Sequence, residues 1–238
     1  MGVVDAWAGE QFERNGFLIV PSLVPADLLA RVRPRIEAVL AGDYETGTPP
    51  TRNVPPMTGQ PVTLVKIDNS HRSDRIIHEL VSHPHIGRAA ALLTGARMVQ
   101  VFATQLLIKP PGTDARVNVG WHQDQEYWDP ALEGELFTAW VAISDVREES
   151  GPMRFVRGSH QWGLLKAGDF FSGDLDALKA RIRGKQGGAD WVEFAAVLPP
   201  GGVSFHHRLT MHGSGPNLST KFFSISLSEF IVMTDESS

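Results

Sequence analysis

In Trp121-His122-Gln123-Asp124-Gln125 an imidazole and a carboxylate stand two residues apart. Read as a strand, that spacing sets both side chains on one face. Such a pair needs only a second imidazole from elsewhere in the fold to hold one face of an octahedral metal with positions left open, the arrangement of non-haem Fe(II) oxygenase sites. A His-x-Asp triplet is common as a solvated surface pair, so its meaning rests on a third ligand and on elements that bring the three groups together. His206, His207 and His212 qualify, on or just after a late strand that returns beside the first. Pro199-Pro200-Gly201-Gly202 makes a tight turn into that strand, so His206 and His207 fall on opposite faces at its end and one of them packs inward. His212 heads His212-Gly213-Ser214-Gly215-Pro216-Asn217, where two glycines and a proline bring a rigid backbone close to the imidazole. It is the favoured third ligand.

The rest of the chain has to supply a scaffold. With 238 residues, 42% of them hydrophobic, it can bury one sizeable core. The net charge of −5 and the lack of any Lys/Arg cluster leave no electrostatic footprint for nucleic acid. No apolar run approaches the roughly 20 residues that cross a bilayer, and Met1-Gly2-Val3-Val4-Asp5 carries no basic segment ahead of an apolar one. A soluble, cytoplasmic protein with a small-molecule partner is expected. Without cysteine there is no disulfide, thiolate nucleophile or zinc finger, so a metal must rely on His, Asp and Glu.

Periodicity divides the chain into a helix-rich part, 1–95, and a β-rich part, 96–238, expected to form a single domain. A helix end near Phe12 leads to a strand through Phe17 and Val20, stopped by Pro21. Leu28, Leu29, Val32, Ile36, Val39 and Leu40 make one helical face, with Ser22 or Asp27 as cap, Gly42 as stop and Pro34 as an expected kink. The Pro-, Thr- and Gly-rich stretch from Thr46 to Pro61 reads as an irregular loop and a lid. Val62 to Ile67 is a strand; Ser73 or Asp74 caps a helix through Val81, and Pro84 begins another that runs to Leu93. His71, His78, His83 and His85 lie around these helices without a carboxylate at metal spacing and are taken as surface or capping groups. After Gly95, extended runs at 98–108, 117–121, 136–143, 153–156, 191–198, 202–207 and 222–231 give at least seven strands, enough for a sandwich or small barrel, interrupted by a helical insertion near 170–188.

Four motifs in this order, Lys109-Pro110-Pro111-Gly112, Trp121-His122-Gln123-Asp124, Gly158-Ser159-His160 and His212-Gly213-Ser214-Gly215-Pro216-Asn217, resemble the phytanoyl-CoA dioxygenase family of Fe(II)/2-oxoglutarate oxygenases, from about Phe12 to Phe230. The resemblance implies a mainly β fold with flanking helices, a double-stranded β-helix (jelly-roll, cupin-like), with ferrous iron held by His122, Asp124 and His212, and 2-oxoglutarate and O2 as cosubstrates. By position it assigns cosubstrate contacts to Lys66, Thr104 or Gln105, Trp140 and Ser214, of which Lys66 and Ser214 suit the distal carboxylate. His160 belongs to the pattern and is not a ligand in it. One departure stands out. The family commonly places an arginine for that carboxylate eleven residues after the third ligand, where this chain has Phe223. Lys221, on the same face of the same strand, is a substitute, and Arg154 and Arg208 are further candidates. Losing a charged partner to a buried carboxylate costs on the order of 2–5 kcal/mol.

The implied reaction is oxidation of a small molecule, foremost hydroxylation or a related desaturation or ring closure, with release of succinate and CO2. Asp124 as a ligand leaves no position for a bound halide, which disfavours halogenation. Gln125, Glu126, Tyr127 and Trp128 are expected to line the mouth with the 46–61 loop, an acidic and aromatic rim suited to a polar or amine-bearing molecule, with plain surface placement an equal reading for Glu126. Two other readings compete: an iron oxygenase or isomerase of this fold that does not use 2-oxoglutarate, motivated by Phe223, and a non-catalytic jelly-roll that binds a small molecule.

Overall fold

The computed structural model describes residues 6–54, 64–111, 117–128, 135–220 and 224–234. The helices are α1 (Ala6–Asn15), α2 (Ala26–Leu40), α3 (Arg75–Val81), α4 (Pro84–Thr94) and α5 (Leu175–Lys185). The strands are β1 (Phe17–Val20), β2 (Arg52–Val54), β3 (Val65–Asp68), β4 (Met98–Lys109), β5 (Val119–His122), β6 (Glu135–Ala142), β7 (Met153–Val156), β8 (Glu193–Ala195), β9 (Val203–His207), β10 (His212–Ser214) and β11 (Ser224–Thr234).

The strands form two antiparallel sheets, a large one in the order β1-β9-β6-β11-β4-β3-β2 and a small one in the order β5-β10-β7-β8. Alternation along each strand explains why they stack. On β6 the residues Phe137, Ala139 and Val141 join a core shared with helices α1 to α4, whereas Trp140 and Ala142 point the other way, onto Phe155 of the small sheet. On β9, Val203 and Phe205 face the helices, and on β4, Leu106 and Ile108 do. The small sheet is covered outside by α5, whose Leu178 and Ile182 pack with Trp121, Val156 and Met211. Helices on one outer face, one helix on the other and two sheets between them give the jelly-roll sandwich.

The N-terminal part does more than pack helices outside: β1, β2 and β3 extend the large sheet, β1 along β9 and β3 along β4. Within the stretch read as an irregular lid, Arg52–Val54 forms β2, paired to β3; residues 55–61 lie outside the described ones. Helix α2 runs through Pro34 unbroken; its N-cap position is Pro25 with no side-chain cap, and Ala41 rather than Gly42 closes it. Asp74 caps α3, accepting from the N–H groups of Ile76 and Ile77, and also pairs with Arg35. No helix among the described residues is long and apolar enough to cross a membrane.

Candidate metal centre and its two cavities

His122 ends β5 and His212 begins β10, and the two stand directly opposite in the register of the small sheet. Opposed positions of an antiparallel pair hold their Cβ atoms about 5 Å apart, so one cross-strand pair delivers both imidazoles to the same point. Close approach of β10 to β5 needs Gly213, where a Cβ would lie 3.0 Å from Val119 O and 3.1 Å from Trp121 N. Asp124 departs from the expected placement: the strand stops at His122, and Asp124 opens a 3-10 turn, Asp124–Glu126. It still reaches the imidazoles, because Gln123 between them is buried and anchored, its amide donating to Gly163 O and Leu209 O at 2.8 Å each and accepting from Leu165 N–H at 2.9 Å.

His122 Nε2 lies 3.6 Å and His212 Nε2 3.5 Å from Asp124 Oδ1, and the three donor atoms fall within 4.8 Å of one another. Both rings turn their other nitrogen to the backbone, His122 Nδ1 to Gly120 O at 2.8 Å and His212 Nδ1 to Thr210 O at 2.9 Å. A backbone carbonyl accepts only from N–H, so each ring keeps its proton on Nδ1 and offers an Nε2 lone pair to the centre. Asp124 Oδ2 is occupied separately, accepting from Thr138 Oγ1 at 2.7 Å and from His206 Nε2 at 3.1 Å. Burial works against ionisation of Asp124, but His212, His122 and His206 around it outweigh burial and hold the carboxyl well below its ordinary range. Burial first, and His122 second, hold the His212 imidazole well below 6.5 despite the nearby carboxylate, so it is neutral. Two imidazole nitrogens and one carboxylate oxygen on one side of a pocket form a donor set that fits Fe(II) with open positions.

Two cavities meet at this cluster. The inner one, about 50 Å³, lies between the sheets and is walled by Leu107, Lys109, Val119, Trp140 and Ser214. The outer one, about 320 Å³, opens to solvent past the exposed Phe102, Tyr127 and Phe171 and is lined further by Thr51, Lys66, Asp68, Asn69, Thr104 and Trp128. Gln105, His122, Asp124 and Phe170 belong to both walls.

The structure thus divides the residues assigned to the cosubstrate. Trp140, Ser214 and Gln105 reach the inner cavity; Lys66 and Thr104 are in the outer one. Lys66 sits 3.5 Å from Asp68 and over the Phe170 ring, while Thr104 Oγ1 bonds His71 Nδ1 at 2.9 Å. Of the expected rim, Tyr127 and Trp128 line the outer cavity, but Gln125 and Glu126 line neither. The Glu126 carboxylate turns inward to the N–H of Gly168, 3.1 Å away, where it braces the segment against His122 instead of adding charge to the mouth. Arg154 is engaged with Glu148 at 2.8 Å and Glu193 at 3.9 Å and, like Arg208, lines neither cavity. Lys221 and Phe223 lie outside the described residues. Among the other histidines, His83 does cap α4, but His71 is half-buried behind the outer wall, where burial lowers it to about 4. His160 bonds Glu13 O, away from the centre.

Some site residues have roles that the sequence does not assign to them. His206, one of the three possible third ligands, is instead the partner that fixes Asp124; its register opposite Thr138 puts both on the inward face. Lys109 was read only as part of a motif. It shares the inward parity of Gln105 and Leu107, is 7% exposed, and donates from Nζ to Ser214 Oγ and Gly215 O at 2.5 Å each and to Gly151 O at 3.4 Å. Burial pulls its amine from 10.5 down to about 7.

The family model described as Phytanoyl-CoA dioxygenase (PhyH) matches residues 12–223. The peroxisomal phytanoyl-CoA dioxygenase of Homo sapiens is 24% identical over 218 residues, which cover 89% of this chain and 63% of that protein. The chain therefore spans just under two thirds of the length of that relative. The ectoine dioxygenase of Bordetella parapertussis is 26% identical over 238 residues, covering 90% of this chain and 72% of that one. Among solved structures, the epimerase SnoN in complex with Fe3+, alpha ketoglutarate and nogalamycin RO superposes with a TM-score of 0.75 at 24% identity, covering 95% of this chain and 82% of that one, a likeness of fold.

Proposed function

The chain belongs to the phytanoyl-CoA dioxygenase (PhyH) family, and on that premise we propose that it is an Fe(II)- and 2-oxoglutarate-dependent oxygenase that hydroxylates a polar small molecule, releasing succinate and CO2. The observation that carries the reading is the convergence of His122 Nε2, Asp124 Oδ1 and His212 Nε2, each ligand oriented from behind by a separate hydrogen bond. Iron bound there supplies, with 2-oxoglutarate and O2, an oxidant strong enough for an unactivated C–H bond.

The chain's own residues do the rest. The Gly120 and Thr210 carbonyls keep both imidazoles in the ligating tautomer, and Thr138 and His206 leave Asp124 Oδ1 free to face the centre. Leu107, Val119, Trp140 and Phe170 dry the inner cavity, which strengthens every polar contact inside it. Trp140, Ser214 and Gln105 are assigned to the cosubstrate. Lys66, Thr104, Tyr127 and Trp128 are assigned to the substrate, because they line the larger, open cavity beside the metal ligands. The cytoplasmic location read from the sequence is part of the same proposal.

Anaerobic addition of Fe(II) and 2-oxoglutarate is expected to produce a visible metal-to-ligand charge-transfer band that His122→Ala abolishes. A band unaffected by His122→Ala defeats the reading. Succinate release coupled to a product one oxygen heavier by mass spectrometry distinguishes hydroxylation from epimerisation, which adds no oxygen.

A further inference from the structure

We propose that Lys109 is the residue that receives the distal carboxylate of 2-oxoglutarate, in a chain whose sequence has phenylalanine where the resembled family has its arginine. The inference rests on the functional reading above. Its first support is placement. Strand β4 turns Gln105, Leu107 and Lys109 to the interior in alternation, and Lys109 shares the inner cavity with His122, Asp124 and His212. A keto acid that chelates a metal at that cluster directs the remainder of its chain into this cavity, between the two sheets.

The second support is an uncompensated charge. Among the described residues Lys109 Nζ bonds only neutral oxygens, Ser214 Oγ, Gly215 O and, at a long 3.4 Å, Gly151 O. No carboxylate pairs with it among the described residues, and burial alone accounts for its weakened basicity. A buried ammonium without a counter-ion is costly, and an ammonium has three N–H donors. Two are satisfied at 2.5 Å and the third is held weakly, so an incoming carboxylate can take one N–H and accept the Ser214 hydroxyl beside it.

The third support is the state of the other candidate cations among the described residues. Arg154 is committed to Glu148 and Glu193, Lys66 belongs to the outer cavity beside Asp68, and Arg208 lines neither cavity. Lys109 is also fixed in place by its neighbours, since Asn217 Nδ2 donates to its carbonyl at 3.1 Å.

The test compares 2-oxoglutarate with 2-oxopentanoate, which keeps the chelating keto acid and carries a methyl group in place of the distal carboxylate. Affinities are measured anaerobically with Fe(II)-loaded protein, by titrating the charge-transfer band and by calorimetry. The native protein is expected to prefer 2-oxoglutarate by at least about 30-fold, the loss typical of a buried charged contact. Lys109→Met is expected to erase that preference while leaving 2-oxopentanoate affinity within about threefold, and Lys109→Gln serves as a second variant should Met impair folding. Preference that survives either folded variant overturns the assignment, as does equal weakening of both acids, which marks Lys109 as a structural staple. No band with either acid in the native protein is a different failure: it removes the functional reading, and the assignment falls with it.

Discussion

Lys109→Met should make the metal-free protein more stable at neutral pH, and by a calculable amount. The folded amine sits at about 7 against an ordinary 10.5, so between those values the unfolded chain binds more protons than the folded one. Stability therefore rises as pH climbs through that window and is lowest at and below its lower end. Integrated over the window, keeping Lys109 buried costs about 4 kcal/mol at pH 7 and about 1 kcal/mol at pH 10. Methionine has similar reach and no charge, but it leaves the Ser214 hydroxyl and the Gly215 carbonyl without their donor, a loss of about 1–3 kcal/mol. The net gain is about 1–3 kcal/mol at pH 7, a rise in Tm of about 3–10 °C for a domain of this size. The check is thermal and denaturant unfolding of both proteins from pH 7 to pH 10, reading the difference between them so that other titrating groups cancel. That difference should fall by about 3 kcal/mol across the range, and added 2-oxoglutarate with Fe(II) should stabilise the native protein more than the variant. A variant less stable at pH 7, with a pH slope equal to that of the native chain, refutes the reasoning.

Other perturbations test the parts around the centre. His206→Ala and Thr138→Val each release Asp124 Oδ2 without touching a ligand, and each should weaken metal binding about 10- to 100-fold in a chelator competition while the circular dichroism spectrum is unchanged. Gly168→Ala places a Cβ 2.6 Å from the His122 Cα and 2.6 Å from Glu126 Oε1, so about 1–3 kcal/mol of stability should be lost in urea unfolding, together with metal affinity. Asp74→Ala removes both the α3 cap and the buried partner of Arg35, for an expected loss of about 1–3 kcal/mol in the same assay. Phe170→Ala removes a ring shared by both cavities, and should raise KM for the substrate more than it weakens 2-oxoglutarate in the binding titration.

What could be read in the sequence followed from local rules. His122, Gln123 and Asp124 are adjacent, and His212 is flagged by its own glycines, so spacing alone reached the three groups that now stand within 4.8 Å. Strand parity placed one of His206 and His207 inside, but which neighbour the buried ring would meet depended on pairing with β6. Glu126 was misjudged for the same reason: its partner, the Gly168 N–H, is 42 residues away and comes near only when the segment ahead of α5 folds back over β5. Lys109 is legible only as part of the Lys109-Pro110-Pro111-Gly112 motif, because nothing local reveals that Ser214 and Gly215, more than a hundred residues later, close over it. Likewise β1 ends at Val20, ahead of Pro21, as expected, but its partner β9 lies near the other end of the chain.

These residues also show how the large sheet divides its work. On the helix side of β9 and β6, Val203, Phe205, Phe137 and Ala139 are at most 1% exposed and wholly apolar, and every local preference there agrees with burial. One residue over, on the inward side, the agreement fails: among the described residues Ser204 Oγ and His206 Nδ1 are buried without a hydrogen-bond partner, and Lys109 on β4 is a buried cation without an acid. Each of these exceptions costs free energy that an apolar residue would not, and all of them face the space between the sheets where the His122, Asp124 and His212 cluster stands. A period of two thus separates residues kept for stability from residues kept for chemistry along a single backbone. It follows that neighbouring substitutions in one strand should have different signatures, Ala139→Val lowering Tm through overpacking while ligand affinities hold, and Trp140→Phe altering 2-oxoglutarate affinity as well as Tm.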